Sequence, residues 1–302
     1  AAVAKTQGKP LNHSLASVYY AVGFGLYNAG QVALAVGSLE KSLVAKPSPQ
    51  TLQQLALIRI KERRAPTALA LLKRAEGLSM RSVAERVYWQ ARIESLRARA
   101  VSLQAEGQQG ANAAAAEKAA RQAHRRAIVT WMQFIRLGPK AKLHAEAQVH
   151  MGRSFYALGR KVDALDALDK AIDLAPSRRE TYPDVISMLV LQGHLPEALD
   201  AYHRALGRRE VGEYLKAYCS MWVIGLARRA KIAPDPLAVS YLQELRGKRW
   251  YHRLAALSLG KVSFEALEQE AKTTPHRAEL YFYQADRLLA AGKAEEARAL
   301  WK

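Results

Sequence analysis

The sequence predicts an all-α solenoid of short helical hairpins, with one long hairpin protruding from it. Three observations carry that expectation. Small and bulky residues recur in a repeating order, with Gly159 and Gly193 standing 34 residues apart at equivalent points, and a period of that size is the mark of a stacked repeat. Elsewhere the apolar residues return in steps of 3 and 4, the helical period. The chain has 302 residues, 50% hydrophobic and 24% charged, the balance of a protein that buries a sizeable core.

The elements follow in order. Residues 1–15 read as an N-terminal arm, in which Ala1 to Pro10 is small and polar without a hydrophobic targeting core. Residues 16–82 hold two repeat units. Counting Ala16 as position 1, Gly23, Leu26, Gly30, Ala35, Leu39, Ser42 and Pro47 fall at positions 8, 11, 15, 20, 24, 27 and 32. Small residues at 8, 20 and 27 let two antiparallel helices approach, bulky ones at 11 and 24 fill the gap, Gly at 15 turns the chain and Pro at 32 ends the second helix. In the second unit, counted from Pro49, Ala56, Ala68, Leu72 and Ala75 fit, but Arg63 replaces the turn glycine. A tighter or shifted turn is expected there.

Residues 83–140 break the period. Val83–Glu106 and Ala113–Leu137 both read as long helices, the second with an apolar stripe at Ala120, Ala123, Ala127, Trp131 and Phe134. Gly107 to Gly110 reads as a flexible tip. Residues 141–210 hold the best-matched pair: from Ala145, the seven positions are Gly152, Phe155, Gly159, Ala164, Leu168, Ala171 and Pro176, and Gly193, Ala198, Tyr202 and Ala205 repeat four of them. Residues 211–302 are helical but off register. They end in a unit counted from Ala278, with Tyr281, Ala285, Leu288, Gly292, Ala297 and Trp301, whose second helix is cut short at Lys302.

This pattern resembles the tetratricopeptide repeat (TPR) family, with Tyr19, Gln148 and Tyr182 at the family's usual Trp position. The resemblance implies that the first helix of each hairpin lines a concave groove that holds a partner's peptide or helix. Carried over position by position, the groove residues are Tyr20, Phe24 and Tyr27, then Leu57 and Ile60, then Glu146, Val149, Arg153 and Tyr156. The competing reading is that Tyr20, Phe24 and Tyr27 pack against the N-terminal arm or a neighbouring helix. The Lys and Asn of the family's carboxylate-clamp members are replaced by Tyr20 with Phe24 and by Val149 with Arg153, so that co-chaperone role is disfavoured. The stretch from Trp250 to Gly292 is similar to bacterial NlpI-type envelope lipoproteins, which implies the cell envelope or periplasm, with the cytoplasm as the alternative.

The net charge is +19, and residues 59–142 carry +12 of it. Arg92, Arg97, Arg99, Lys118, Arg121 and Arg125 form a candidate basic patch for an acidic protein face, a peripheral contact with anionic membrane or nucleic acid. The plain alternative is a solvated face. Trp131 and Phe134 lie on the apolar stripe instead of alternating with the cations, which weighs against nucleic acid.

No catalytic set emerges. Gly23-Phe24-Gly25 begins like a dinucleotide fingerprint, but Asn28 holds the third glycine position and no strand precedes it. The eight histidines include no i, i+4 pair with a Glu between, and Cys219 sits on an apolar helix face, which predicts a buried, inert thiol. The expectation is therefore a non-catalytic scaffold or adaptor without metal or cofactor. It would hold one or more proteins in its groove, and a basic surface for nucleic acid or membrane is the alternative.

Overall fold

A computed structural model of the chain describes residues 8–78, 82–106 and 108–300. Among them every element is a helix: α1 (Gly8–Asn28), α2 (Val32–Ala45), α3 (Pro49–Lys61), α4 (Ala65–Glu76), α5 (Val83–Glu106), α6 (Ala111–Arg136), α7 (Ala141–Ala157), α8 (Lys161–Leu174), α9 (Thr181–Leu191), α10 (Leu195–Leu206), α11 (Glu213–Arg229), α12 (Pro236–Glu244), α13 (Trp250–Ser258), α14 (Phe264–Glu270), α15 (Thr274–Ala290) and α16 (Ala294–Ala299). The chain divides into two compact units, the first ending at Ala164 and the second beginning at Leu165, inside α8. No described helix is long and apolar enough to cross a membrane.

The small positions of the repeat and its bulky position 24 are where the helices meet. Ala35, Leu39, Ala56, Ala68, Leu72, Ala75, Ala164, Ala171, Ala198, Tyr202, Ala205, Ala285 and Ala297 are all fully buried. The turns share one conformation. Gly30, Gly159, Gly193, Gly260 and Gly292 have φ between 71° and 78°, the left-handed region that glycine enters without strain.

Three expectations are corrected. The turn at Arg63 is neither tighter nor shifted, because Arg63 takes the glycine conformation itself, with φ 58°, and Arg64 N–H donates to the Arg59 carbonyl at 2.8 Å as Gln31 N–H does to Leu26 at 2.9 Å. Packing of α3 on α4 outweighs the roughly 1–2 kcal/mol that a Cβ costs there. Lys231, with φ 57°, does the same between α11 and α12, so the off-register region is built of the same hairpins with a non-glycine turn. The N-terminal arm is helical from Gly8 onward, with Pro10 in the first turn, where its missing N–H breaks no helix hydrogen bond. Residues 1–7, Gly107 and Trp301 lie outside the described residues.

The long hairpin joins the stack over most of its length. α5 packs on α3 and α4, and α6 packs on α7. At its centre Trp131 is fully buried, donates its ring N–H to Ser95 Oγ at 2.7 Å and stacks on His150 with centroids 5.0 Å apart. Only the outer end, from Gln108 to Ala119, is left mostly uncovered.

In the second unit, polar bonds tie hairpin to hairpin. Tyr202 and Ser220 hydroxyls share a hydrogen bond of 2.7 Å between α10 and α11. Glu279 on α15 accepts from Tyr218 on α11 and from Trp250 on α13, each at 2.9 Å. Arg229 pairs with Asp286 beside Gly225, whose missing side chain leaves room for that carboxylate. Cys219 lies buried in α11, and burial pushes its thiol up to about 12, so it stays protonated and unreactive.

Candidate partner-binding face

Helices α1, α3, α5 and α7 are the first helices of successive hairpins in the first unit, and α3 and α5 run parallel. Near their starts, Gln53 Nε2 donates to the Trp89 carbonyl at 3.4 Å; at their ends, Arg63 pairs with Glu106 at 3.0 Å. Residues seven apart on such helices return to the same face, about 20° out of register. The face is therefore built in layers.

The first layer is Tyr20, Gln53, Arg92 and Glu146. Arg92 Nε–H donates to Gln53 Oε1 at 3.1 Å, and its Nη1 donates to Glu146 Oε1 at 2.6 Å and to the Tyr88 hydroxyl at 3.0 Å. Tyr88 in turn donates to Glu146 at 3.1 Å. This layer is electrically closed. Burial holds the Tyr20 and Tyr88 phenols above their usual range, so both act as neutral groups.

Seven residues further along each helix the composition changes to Tyr27, Ile60, Arg99 and Arg153, with Lys61 next to Ile60. The Lys61 ammonium sits over the Tyr27 ring, 4.9 Å from its centroid. The Tyr27 hydroxyl oxygen is buried and has no hydrogen-bond partner among the described residues. Arg99 reaches solvent, yet partial desolvation and the facing Arg153 charge together hold its guanidinium below its usual range.

The sequence-derived groove residues divide on this face. Phe24 is 43% exposed and stacks on Tyr20 with centroids 6.2 Å apart. Tyr20, Tyr27 and Leu57 are half-buried against the core of α2, α3 and α4. Tyr20 and Tyr27 pack on neighbouring helices, and Phe24 faces outward. Ile60 is a correction, being a core residue at 8% exposure, because its position on α3 turns it toward α4. Arg153 and Tyr156 are half-buried on α7, with Val149 buried beside them.

The basic patch is not one surface. Arg92 and Arg97 are already neutralised: Arg92 by Glu146, and Arg97 by Glu76 at 2.6 Å and Glu94 at 2.5 Å. Arg97 lies roughly 140° around α5 from Arg92, so it faces α4 and α6 instead of the layered face. Arg99 belongs to that face. Only Lys118, Arg121 and Arg125 remain together, exposed along one side of α6 with Glu117 among them.

The sequence reading missed Gln53, Lys61 and Tyr88, because their roles depend on which helices meet. It also missed a cleft of about 510 Å³ in the second unit. Leu168, Ile172, Val185 and Leu189 form its apolar floor, and Asp166, Asp169, Glu197 and Asp200 its rim. Lys170 pairs with Asp166 at 2.6 Å, and Arg204 bridges Asp169 and Asp173. The signal was present in the run Asp163, Asp166, Asp169, Asp173 at helical spacing.

No protein-family model matches the chain, and no curated protein resembles it in sequence. Solved structures do resemble it. TTC0263, a thermophilic TPR protein of Thermus thermophilus, matches with a TM-score of 0.51 at 19% identity, over 69% of this chain and 99% of that one. MamA is a more remote likeness, with a TM-score of 0.33 at 21% identity over 61% of this chain and 92% of that one. Repeat pattern, left-handed turns and the Thermus likeness agree: the chain has the tetratricopeptide-repeat fold, an all-α helical-repeat solenoid.

Proposed function

We propose that the chain is a non-catalytic protein-interaction scaffold and that the α1–α3–α5–α7 face of its first unit receives a helix or extended segment of a partner protein. The observation that carries this reading is Phe24. A large aromatic left 43% exposed, backed by Tyr20 and bordered by half-buried Tyr27 and Leu57, has the form of an interface anchor: apolar, prepositioned and rimmed by polar groups. Phe24 lies outside the core cluster, so its replacement tests binding without dismantling the fold.

The experiment is affinity capture from extract of the source organism on immobilised wild-type chain and on Phe24→Ala, eluted with rising salt. A protein retained by wild type at high salt and weakened by more than about 1 kcal/mol in the variant is the expected result. An identical set of retained proteins on both columns removes the face from the account. A second reading rests on Lys118, Arg121 and Arg125, which no ion pair holds among the described residues. Under it, retention falls steeply with log salt and follows an Arg121→Glu, Arg125→Glu variant instead. The likeness of Trp250 to Gly292 to envelope lipoproteins supports an envelope location, which fractionation of cells carrying a tagged chain would accept or reject.

A further inference from the structure

Residues 10–39 contain no Asp, Glu, Lys or Arg, in a chain that is 24% charged. They form α1 from Pro10 onward and the first half of α2. A helix without charge on any side belongs in a protein interior, yet α1 has one side open among the described residues. It packs on α2 through Ala16, which is buried, and Gly23, where a Cβ would meet Leu39 and Ala35. The opposite side carries Leu15, Val18 and Val22, which are 41%, 53% and 47% exposed.

The spacing on that side is regular. Leu11, Leu15, Val18, Val22, Gly25 and Ala29 follow one another in alternating steps of 4 and 3, the seam of a coiled coil. From Leu15 onward these positions lie within about 80° of arc, and Ala16, Tyr20, Gly23 and Tyr27 fall on the other side of the helix. The seam is bulky at one end and small at the other. Gly25 is exposed, and a Cβ there meets nothing within 4 Å. A second α1 laid on it antiparallel, with Val18 against the partner's Val22, brings Leu15 against the partner's Gly25, and the two-fold axis repeats both contacts. The stripe is thus complementary to a copy of itself, as an isologous interface requires. Charge and area agree on that occupant. Each copy has a net charge of +19, and at this stripe two copies meet without setting charge against charge. Paired from position 11 to position 29, helices about 11 Å across and about 27 Å long cover about 450 Å² on each copy, about 900 Å² in all. Specific interfaces begin near about 1,000 Å², so the area suits a dimer that assembles and dissociates with concentration.

We propose that Leu15, Val18, Val22 and Gly25 of α1 form a self-association surface, and that its occupant is α1 of a second copy of this chain in antiparallel register. The inference does not rest on the scaffold reading. Phe24 lies about 160° around α1 from Val22, so the α1–α3–α5–α7 face stays open in the pair, and each dimer carries that face twice. A membrane surface is a poorer occupant, because an interfacial helix sets Lys or Arg beside its apolar face and α1 has neither after Lys9.

The test is sedimentation velocity of the whole protein from low to high micromolar concentration, at low and at high salt. Wild type is expected to pass from monomer to dimer across that range, and to do so at lower concentration in high salt, because salt screens the repulsion between two cationic copies and leaves the apolar contact in place. Val18→Glu sets a charge into the seam, and Gly25→Leu fills the space that receives Leu15; each weakens the dimer about tenfold or more. Val18, Val22 and Gly25 are exposed in the single chain, so these variants keep the helical circular dichroism of wild type. Adding Val22→Lys to Val18→Glu restores the dimer, since antiparallel register sets each new charge against its opposite and parallel register sets like against like. Phe24→Ala and an Arg121→Gln, Arg125→Gln variant dimerise as wild type does. A monomer at every concentration and both salts overturns the proposal, and so does a dimer that survives both Val18→Glu and Gly25→Leu. A dimer that weakens as salt rises, or that is lost only in Phe24→Ala, is made by another surface and overturns it as well. Failure of Val22→Lys to rescue Val18→Glu rejects the antiparallel register on which the proposal stands.

Discussion

Two glycines two residues apart in α1 must respond in opposite ways if this helix is a packing element and not part of a phosphate-binding loop. A Cβ on Gly23 would stand 2.8 Å from Leu39 Cγ and 3.1 Å from the Ala35 carbonyl oxygen on α2. Leu39 and Ala35 are fully buried, so neither retreats without moving α2. Overpacking of that kind costs about 1–3 kcal/mol, and the clash with backbone puts it in the upper part of the range. The better helix propensity of Ala returns about 1 kcal/mol. Gly23→Ala is therefore expected to weaken the α1/α2 hairpin by about 1–2 kcal/mol. A Cβ on Gly25 meets nothing within 4 Å, so Gly25→Ala gains the propensity alone, about 0.5–1 kcal/mol. Amide hydrogen exchange in α1 and α2 is the assay, since a terminal repeat opens locally without unfolding the rest. Protection in that hairpin should fall about fivefold to thirtyfold in Gly23→Ala and rise severalfold in Gly25→Ala. Equal protection in the two variants, or a gain in Gly23→Ala, refutes the packing argument.

Two further predictions concern the buried polar groups of the first unit. The Arg92–Glu146 pair, with side chains 35% and 14% exposed, lies between the surface and buried cases, so a double-mutant cycle of Arg92→Met and Glu146→Gln should give a coupling of about 1–2 kcal/mol; a coupling near zero means the pair does not clamp α5 to α7. His124 lies buried between Ser102 and Ser154, at 3.1 and 3.3 Å from their hydroxyls, and burial lowers its pKa from 6.5. In the window between 6.5 and the lower native value the unfolded chain binds more protons, so stability falls as pH drops through it. Melting temperatures should decline from pH 8 to 5, and less steeply in His124→Gln; a rise in wild type below pH 6.5 would show the ring held charged.

Much of the architecture was legible because the interactions that set it are local. Gly159 and Gly193 mark turns that only left-handed residues make, Ala35, Leu39 and Ser42 return at helical spacing, and the apolar period alone placed a helix over Val83–Glu106. Arg63 and Lys231 escaped because their strain is offset by packing between helices, which no local pattern reports.

What the sequence by itself determined, then, is the hairpin: its period, its small contact positions and most of its turns, all decided within a few dozen residues by sterics and burial. Which arginines meet an acid was decided only by tertiary structure. Arg92, Arg97 and Arg99 read alike in a basic helix, yet Glu146 stands 54 positions from Arg92 and Arg153 the same distance from Arg99. Helical rotation sends Arg97 to Glu76 and Glu94, and the register of α5 against α7 gives Arg92 an acid and Arg99 a second cation. Coulomb interactions depend on separation in space, and that separation exists only once the hairpins have stacked.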